Sequence, residues 1–254
     1  MLAKSVLILA ALHAVACSGS DAPSTPVVQG DTRLFVPETV SASQRIGNNS
    51  AFTVTALSLL PGSDGLDLYA AVKNAGEAVA CNTSFSIELR DKDDQVVAAG
   101  VNGLLARRFY RFADDAGPPA GTVAGCLAPG DLSKVAIKGL SLDPPNADVR
   151  SVVYYTNSWS NLDLVAIAGV SLTGVSAVTR ANGVAYEGSL INGLDTTLSN
   201  PTVAVYPINA VGRPLGVAYG GSAIELSPGG DWDFETNTVT DPGVGFDAYP
   251  MGGP

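Results

Sequence analysis

LDLYAAVKNAGEAVACNTSFSIELRDKDDQVVAAG, residues 66–100, and VAYEGSLINGLDTTLSNPTVAVYPINAVGRPLGVAYG, residues 184–220, read as two copies of one module. Asn74 aligns with Asn192, Asn82 with Asn200 and Val97 with Leu215, each 118 positions on and without a gap. Further along, Leu127-Ala128-Pro129-Gly130 matches Leu226-Ser227-Pro228-Gly229 at a spacing of 99, so the first copy carries 19 additional residues between Gly100 and Leu127. Both copies have the periodicity of strands. In Ser84–Leu89, Phe85, Ile87 and Leu89 alternate with polar residues, as a half-buried strand requires. Val203, Val205 and Ile208 do the same in the second copy, with a slip near Pro207 that predicts an edge strand or a bulge. Asp91-Lys92-Asp93-Asp94 and Asn209-Ala210-Val211-Gly212 supply the next turns. Val135-Ala136-Ile137 and Trp232-Asp233-Phe234 supply strands after the Pro-Gly turns. No long segment has helix periodicity. The expected fold is all-β, with two tandem antiparallel sandwiches.

Composition sets the outer limits. Hydrophobic residues make up 46% and charged residues 15% of 254, which favours a folded chain rich in buried strands. The formal charge is −10. Removing residues 1–16, which hold Lys4 and no acid, leaves 13 basic against 24 acidic residues, or −11. A chain this acidic repels phosphates, so nucleic acid is not an expected partner. The single histidine, His13, lies in that leading segment. The remainder therefore lacks the usual general base and the commonest ligand of catalytic zinc. No cofactor or metal is expected.

Residues 1–16, MLAKSVLILAALHAVA, have a positive start at Lys4 and a short apolar stretch from Ser5 to Leu12. That stretch falls short of the roughly 20 residues that span a bilayer but suits a signal peptide. Ala14-Val15-Ala16-Cys17 resembles a bacterial lipobox, with Ala14 where that motif usually has Leu. The resemblance implies cleavage before Cys17 and a lipid on its thiol. Ordinary signal-peptidase cleavage at the same A-x-A site is the alternative. Cysteine parity bears on the choice: lipidation of Cys17 leaves an even pair, Cys81 and Cys126. Ser18-Gly19-Ser20-Asp21-Ala22-Pro23-Ser24-Thr25-Pro26 then reads as a polar tether. Ser18 stands where inner-membrane retention signals place Asp, so the resemblance implies an outer-membrane lipoprotein of the bacterial envelope.

The repeat itself is similar to the small immunoglobulin-like (Ig-like) modules of bacterial envelope proteins, the FxLYN type. Leu190-Ile191-Asn192 stands at the L-Y-N position with Ile for Tyr, Gly188 stands where Phe would be, and Val72-Lys73-Asn74 is the first copy's version. Order of elements matches over most of residues 52–250. The similarity implies accessory or binding roles and no catalytic residues. The expected organisation is a signal peptide over residues 1–16, a lipidated cysteine and tether over 17–50, and Ig-like sandwiches over 51–158 and 159–254.

Few residues carry chemistry. Cys81 and Cys126 fall in one copy, and an oxidising compartment predicts a disulfide between them. Asp91–Asp94 could hold calcium, but the run lacks the glycine and distal glutamate of an EF-hand and suits a hairpin turn. Arg107, Arg108, Phe109, Tyr110 and Arg111, followed by Phe112, lie in the first copy's insertion. They are either a contact site for an unidentified envelope protein or anionic polymer, or one more strand with Ala106, Arg108, Tyr110 and Phe112 on one face. Trp159 and Trp232 are expected as core or half-buried packing residues. The functional expectation is a non-enzymatic, membrane-anchored binding or structural adaptor. The alternative is a carbohydrate- or cell-wall-polymer-binding module, for which exposed Trp or Tyr on a flat face would speak. A hydrolase with paired carboxylates would need two acids converging in a cleft, whereas the acids here sit mostly in turns.

Overall fold

The computed structural model describes residues 33–34, 46–48, 52–113, 119–160 and 163–251. Every regular element among them is a strand. The first half contains β1 (Arg33–Leu34), β2 (Ile46–Asn48), β3 (Phe52–Gly62), β4 (Gly65–Asn74), β5 (Ala80–Arg90), β6 (Val96–Gly103), β7 (Arg108–Phe112), β8 (Val123–Leu127), β9 (Leu132–Leu140) and β10 (Ser151–Trp159). The second contains β11 (Leu164–Ile167), β12 (Val170–Arg180), β13 (Gly183–Asn192), β14 (Leu198–Ser199), β15 (Thr202–Ile208), β16 (Ala218–Gly221), β17 (Glu225–Leu226), β18 (Asp231–Glu235) and β19 (Gly245–Met251).

The repeat read from the sequence recurs in the strand pairing. Sheet β3-β4-β9 has its counterpart in β12-β13-β18, and β6-β5-β10 in β16-β15-β19. Register agrees residue by residue. Tyr69↔Ala136 to Lys73↔Leu132 recurs as Glu187↔Glu235 to Ile191↔Asp231, displaced by 118 on one strand and 99 on the other. Ser84↔Gly103 to Ile87↔Gly100 recurs as Thr202↔Gly221 to Val205↔Ala218, displaced by 118 on both strands. Gly65 and Gly183 each start a strand at φ 140° and 139°, where a Cβ would strike the carbonyl oxygens of Leu140 and Val239. The turns repeat as well. Asp91 Oδ1 accepts from the Asp93 and Gln95 amides, and Asn209 Oδ1 accepts from those of Val211 and Arg213.

One fully buried asparagine holds each copy together. Asn74 donates from Nδ2 to Ala78 O (3.0 Å) and Leu127 O (2.9 Å), and its Oδ1 accepts from Gly76 N (3.1 Å). Asn192 donates from Nδ2 to Thr196 O (2.9 Å) and Leu226 O (2.8 Å), and its Oδ1 accepts from Leu194 N (3.1 Å). The backbone completes each network: Gly130 N donates to Asn74 O and Gly229 N to Asn192 O. The end of β4 or β13 is thereby fastened to the Pro-Gly turn before β9 or β18. A buried amide is tolerated because all three of these side-chain bonds are made.

Apolar residues between the facing sheets form one core per copy. Leu68, Ala70 and Val72 of β4 meet Phe85, Ile87 and Leu89 of β5 in the first. Tyr186 and Leu190 of β13 meet Val203 and Val205 of β15 in the second. The irregularity expected at Pro207 is present in the partner of β15: the ladder to β16 ends at Val205↔Ala218, and the next bridge, Ile208↔Pro214, is one residue out of register. β15 lies between β16 and β19, and Val203–Pro207 is buried on both faces. The alternation breaks because Ala204 and Tyr206 pack on a second apolar surface, described below. Pro207 is tolerated because its ladder to β16 has already ended at Val205↔Ala218. The boundary expected at 158/159 also moves. Trp159 is the last residue of β10, β11 pairs with β7, and pairing within the second copy begins at Val170.

Asn192→Ala should cost about 2–4 kcal/mol, since it strands buried carbonyls and an amide together. Urea unfolding should show a lower midpoint at unchanged slope. An unchanged midpoint would mean that the network is dispensable.

Candidate functional site

The additional residues of the first copy become the hairpin β7–β8, joined on its far side by β11. Cys81 and Cys126 face each other across β5 and β8 and are bonded, with their Cα atoms 4.0 Å apart. The equivalent cross-strand pair in the second copy is Ser199↔Glu225. The bond closes a separation of 45 residues, which on the chain-entropy model contributes about 4 kcal/mol. Phe112, Tyr110, Leu164 and Trp159 pack around it, with the Trp159 ring 5.8 Å from that of Phe112. Cys17 and Asp114–Pro118 lie outside the described residues.

The basic–aromatic run is a strand from Arg108 on, and its two faces have different tasks. Tyr110 and Phe112 cover the disulfide. Phe109, on the opposite face, is buried in the second copy's core, where Gly169 leaves room for its ring. Arg107 donates to Leu132 O (2.9 Å) and to the Tyr249 hydroxyl (2.9 Å), its guanidinium carbon 4.1 Å from the centre of that ring. Arg108 forks onto both oxygens of Asp131 at 2.9 and 3.1 Å. Burial raises the Asp131 carboxyl, but that fork and the Ala128 amide outweigh it and hold the group below the usual carboxylate range. Arg111 reaches both oxygens of Asp195 at 2.7 Å, and that bond lowers the Asp195 carboxyl. Each arginine thus has partners within the chain, and two of them, Arg107 and Arg111, reach across to the second copy.

The rest of the contact between copies is apolar with a buried cation at its edge. Tyr69 and Ala136 of the first copy pack against Ala204, Tyr206, Val217 and Tyr249 of the second. Lys134, 1% exposed, sends Nζ to Asp247 Oδ2 (3.2 Å) and Gly212 O (3.3 Å). Ser58 Oγ donates to Pro214 O at 2.7 Å. Burial, above all, pushes the phenols of Tyr69, Tyr206, Tyr219 and Tyr249 above their ordinary value. A cleft of about 250 Å³ opens beside this contact, lined by Asn82, Thr83, Leu105, Phe109, Pro250 and Met251.

Sequence reasoning placed the disulfide and the extra strand but missed Lys134, Asp247 and the tyrosines as a joint. Lysine before Val135-Ala136-Ile137 gives no sign of burial in the linear pattern. Tyr69 and Tyr206 do leave a trace, as apolar residues out of phase with the core positions around them.

No family model matches this chain, and no curated protein matches it. Among solved structures, a transglutaminase of red sea bream matches over 79% of this chain at 12% identity and a TM-score of 0.23. The match spans 31% of that protein's length.

Truncating Phe109 to Ala should cost about 3–5 kcal/mol, whereas Arg111→Ala should cost under about 1 kcal/mol because its ion pair is exposed. Urea titration of both variants checks this, and equal small losses would mean that Phe109 does not tie the copies together. The tyrosines give a pH dependence. The folded chain keeps phenol protons that the unfolded chain loses near pH 10, so stability from these groups is intact below that pH and falls above it. Urea midpoints compared at about pH 8 and about pH 11 should show the fall, and Tyr206→Phe should lessen it.

Proposed function

We propose that this chain is a non-enzymatic envelope lipoprotein, anchored through Cys17 at the outer membrane, that works as a rigid two-module binding or adaptor unit. Its modules are Ig-like sandwiches of the FxLYN kind. The observation that carries the reading is the joint between copies. Two repeats of one scaffold are held by an apolar tyrosine-lined contact, the buried Lys134 and the inserted Phe109, so they present their outer surfaces at a fixed angle. Such a body suits the holding of a partner more than the closing of an active site. Several carboxylates already have structural duties: Asp91 in its turn, Asp131 and Asp195 on arginines, and Asp247 on Lys134. Anchoring is supported by cysteine parity, since Cys81 and Cys126 are bonded to each other and Cys17 is the one left over.

The second reading, a module for carbohydrate or cell-wall polymer, has a specific observation in its favour. Tyr155 and Trp159 lie half-buried on one face of the first copy.

Lipidation is tested by intact mass of the mature chain and by fractionation. A diacylated Cys17 at the N-terminus and a membrane-bound chain are expected, with Cys17→Ser released from the membrane fraction or left uncleaved. A mature chain that begins with unmodified Cys17 overturns the anchor.

A further inference from the structure

The same face of the module has opposite fates in the two copies. In the second copy the outer face of β16-β15-β19, with Ala204, Tyr206 and Tyr249, is covered by the first copy. Its counterpart in the first copy is the outer face of β6-β5-β10. There Ser86 replaces Ala204, Glu88 replaces Tyr206, Val101 replaces Tyr219, and Tyr155 occupies the place of Tyr249. Val101 is 65% exposed. The scaffold thus repeats a face that serves as a contact surface once, with its apolar lining exchanged for hydroxyl groups and an aromatic ring.

This face is hollowed along its length. One depression of about 350 Å³ is lined by Thr83, Ser84, Val101, Gly103, Asn157 and Trp159. A second of about 350 Å³ is lined by Ser86, Glu88, Gly100, Val101 and Tyr155. They meet at Val101, and together they form a trough with an aromatic ring in each half. Tyr155 and Trp159 point to the same side of β10 four residues apart, about 13 Å along a strand, the span of a short run of sugar rings. The trough exists because β5 changes partner from β8 to β6 at Asn82–Thr83. Asn82 takes φ 46° there, and β5 has one more residue than β10 between Ser84↔Asn157 and Cys81↔Trp159.

Two residues of its lining each enclose a polar atom without a partner: Thr83 Oγ1, on a residue 6% exposed, and Asn157 Oδ1. The second copy has Pro201 and Met251 at these places, so the polar groups are confined to the open face. Charge narrows the occupant. Among the described residues Glu88 is the one charged side chain in the two linings, and it is held by Arg90 and the Tyr155 hydroxyl. Among the described residues no lysine or arginine stands in either lining, and the chain carries a net charge of −10.

We propose that the trough over β6, β5 and β10 of the first copy binds a neutral glycan chain. Its sugar rings stack on Trp159 and Tyr155, and its hydroxyls, directly or through water, meet Thr83, Ser84, Ser86 and Asn157. The proposal deepens the binding reading above and is independent of the anchor, so the full chain carrying Cys17→Ser serves as test protein.

Affinity electrophoresis through gels cast with neutral glucans of (1→3), (1→4) and (1→6) linkage, or with galactomannan, decides it, with anionic alginate and a polymer-free gel as comparisons. At least one neutral polymer should retard the protein. Val101→Arg, which fills the trough from an exposed position outside the core, should weaken that retardation at least tenfold while the urea midpoint stays unchanged. Because Trp159 and Trp232 are the two tryptophans of the chain, Trp232→Phe leaves Trp159 as sole reporter. Its emission should shift on addition of the retarding polymer. Retardation that survives Val101→Arg overturns the location. Absence of retardation by every neutral polymer, or retardation by alginate alone, overturns the ligand class. Loss of membrane anchoring would leave all of these results untouched.

Discussion

A fully buried asparagine amide at the end of a strand ties that strand to a Pro-Gly turn far along the chain, and each copy depends on the tie. Asn74 and Asn192 are apart by 118 residues yet make the same three side-chain bonds and the same backbone bond to the turn glycine. The turn fixes where β9 and β18 begin, and these strands in turn fix the register of their sheets. Each bond is worth little net, but an orphaned partner inside the core costs more than the bond contributes, so the network is kept whole or lost together.

What the scaffold does with its faces differs between copies. The first copy adds a disulfide and the hairpin that carries Phe109, and lends its β3-β4-β9 sheet to the joint. The second contributes the face with Tyr206 and Tyr249. The joint is therefore built from unlike faces of like modules, a head-to-tail arrangement that leaves one face open at each end. At one end the open face is acidic and exposed. At the other it is the trough lined by hydroxyls and aromatic rings.

Much of the fold was legible in the sequence because strand register is local and periodic. The 118- and 99-residue offsets read from Asn74, Asn82 and the Pro-Gly turns are the offsets of the paired strands. Less legible was what depends on a second buried face. Val203–Pro207 looked like a slip because a strand covered on both sides has no alternation to show. The arginines read as a contact patch or one more strand, and their ion pairs to Asp131 and Asp195 left no trace because they join residues distant in sequence. Thr83 and Asn157 gave no periodic signal. They could have been found only by asking why the first copy has Thr where the second has Pro201.

Amide hydrogen exchange at the network tests the account most directly. If the asparagines anchor the copies, the Leu194 and Gly229 amides, and those of Gly76 and Gly130, exchange only when the whole copy unfolds, with an opening free energy equal to that from urea unfolding. Exchange at those amides as fast as at a surface turn such as Gly212 would contradict it.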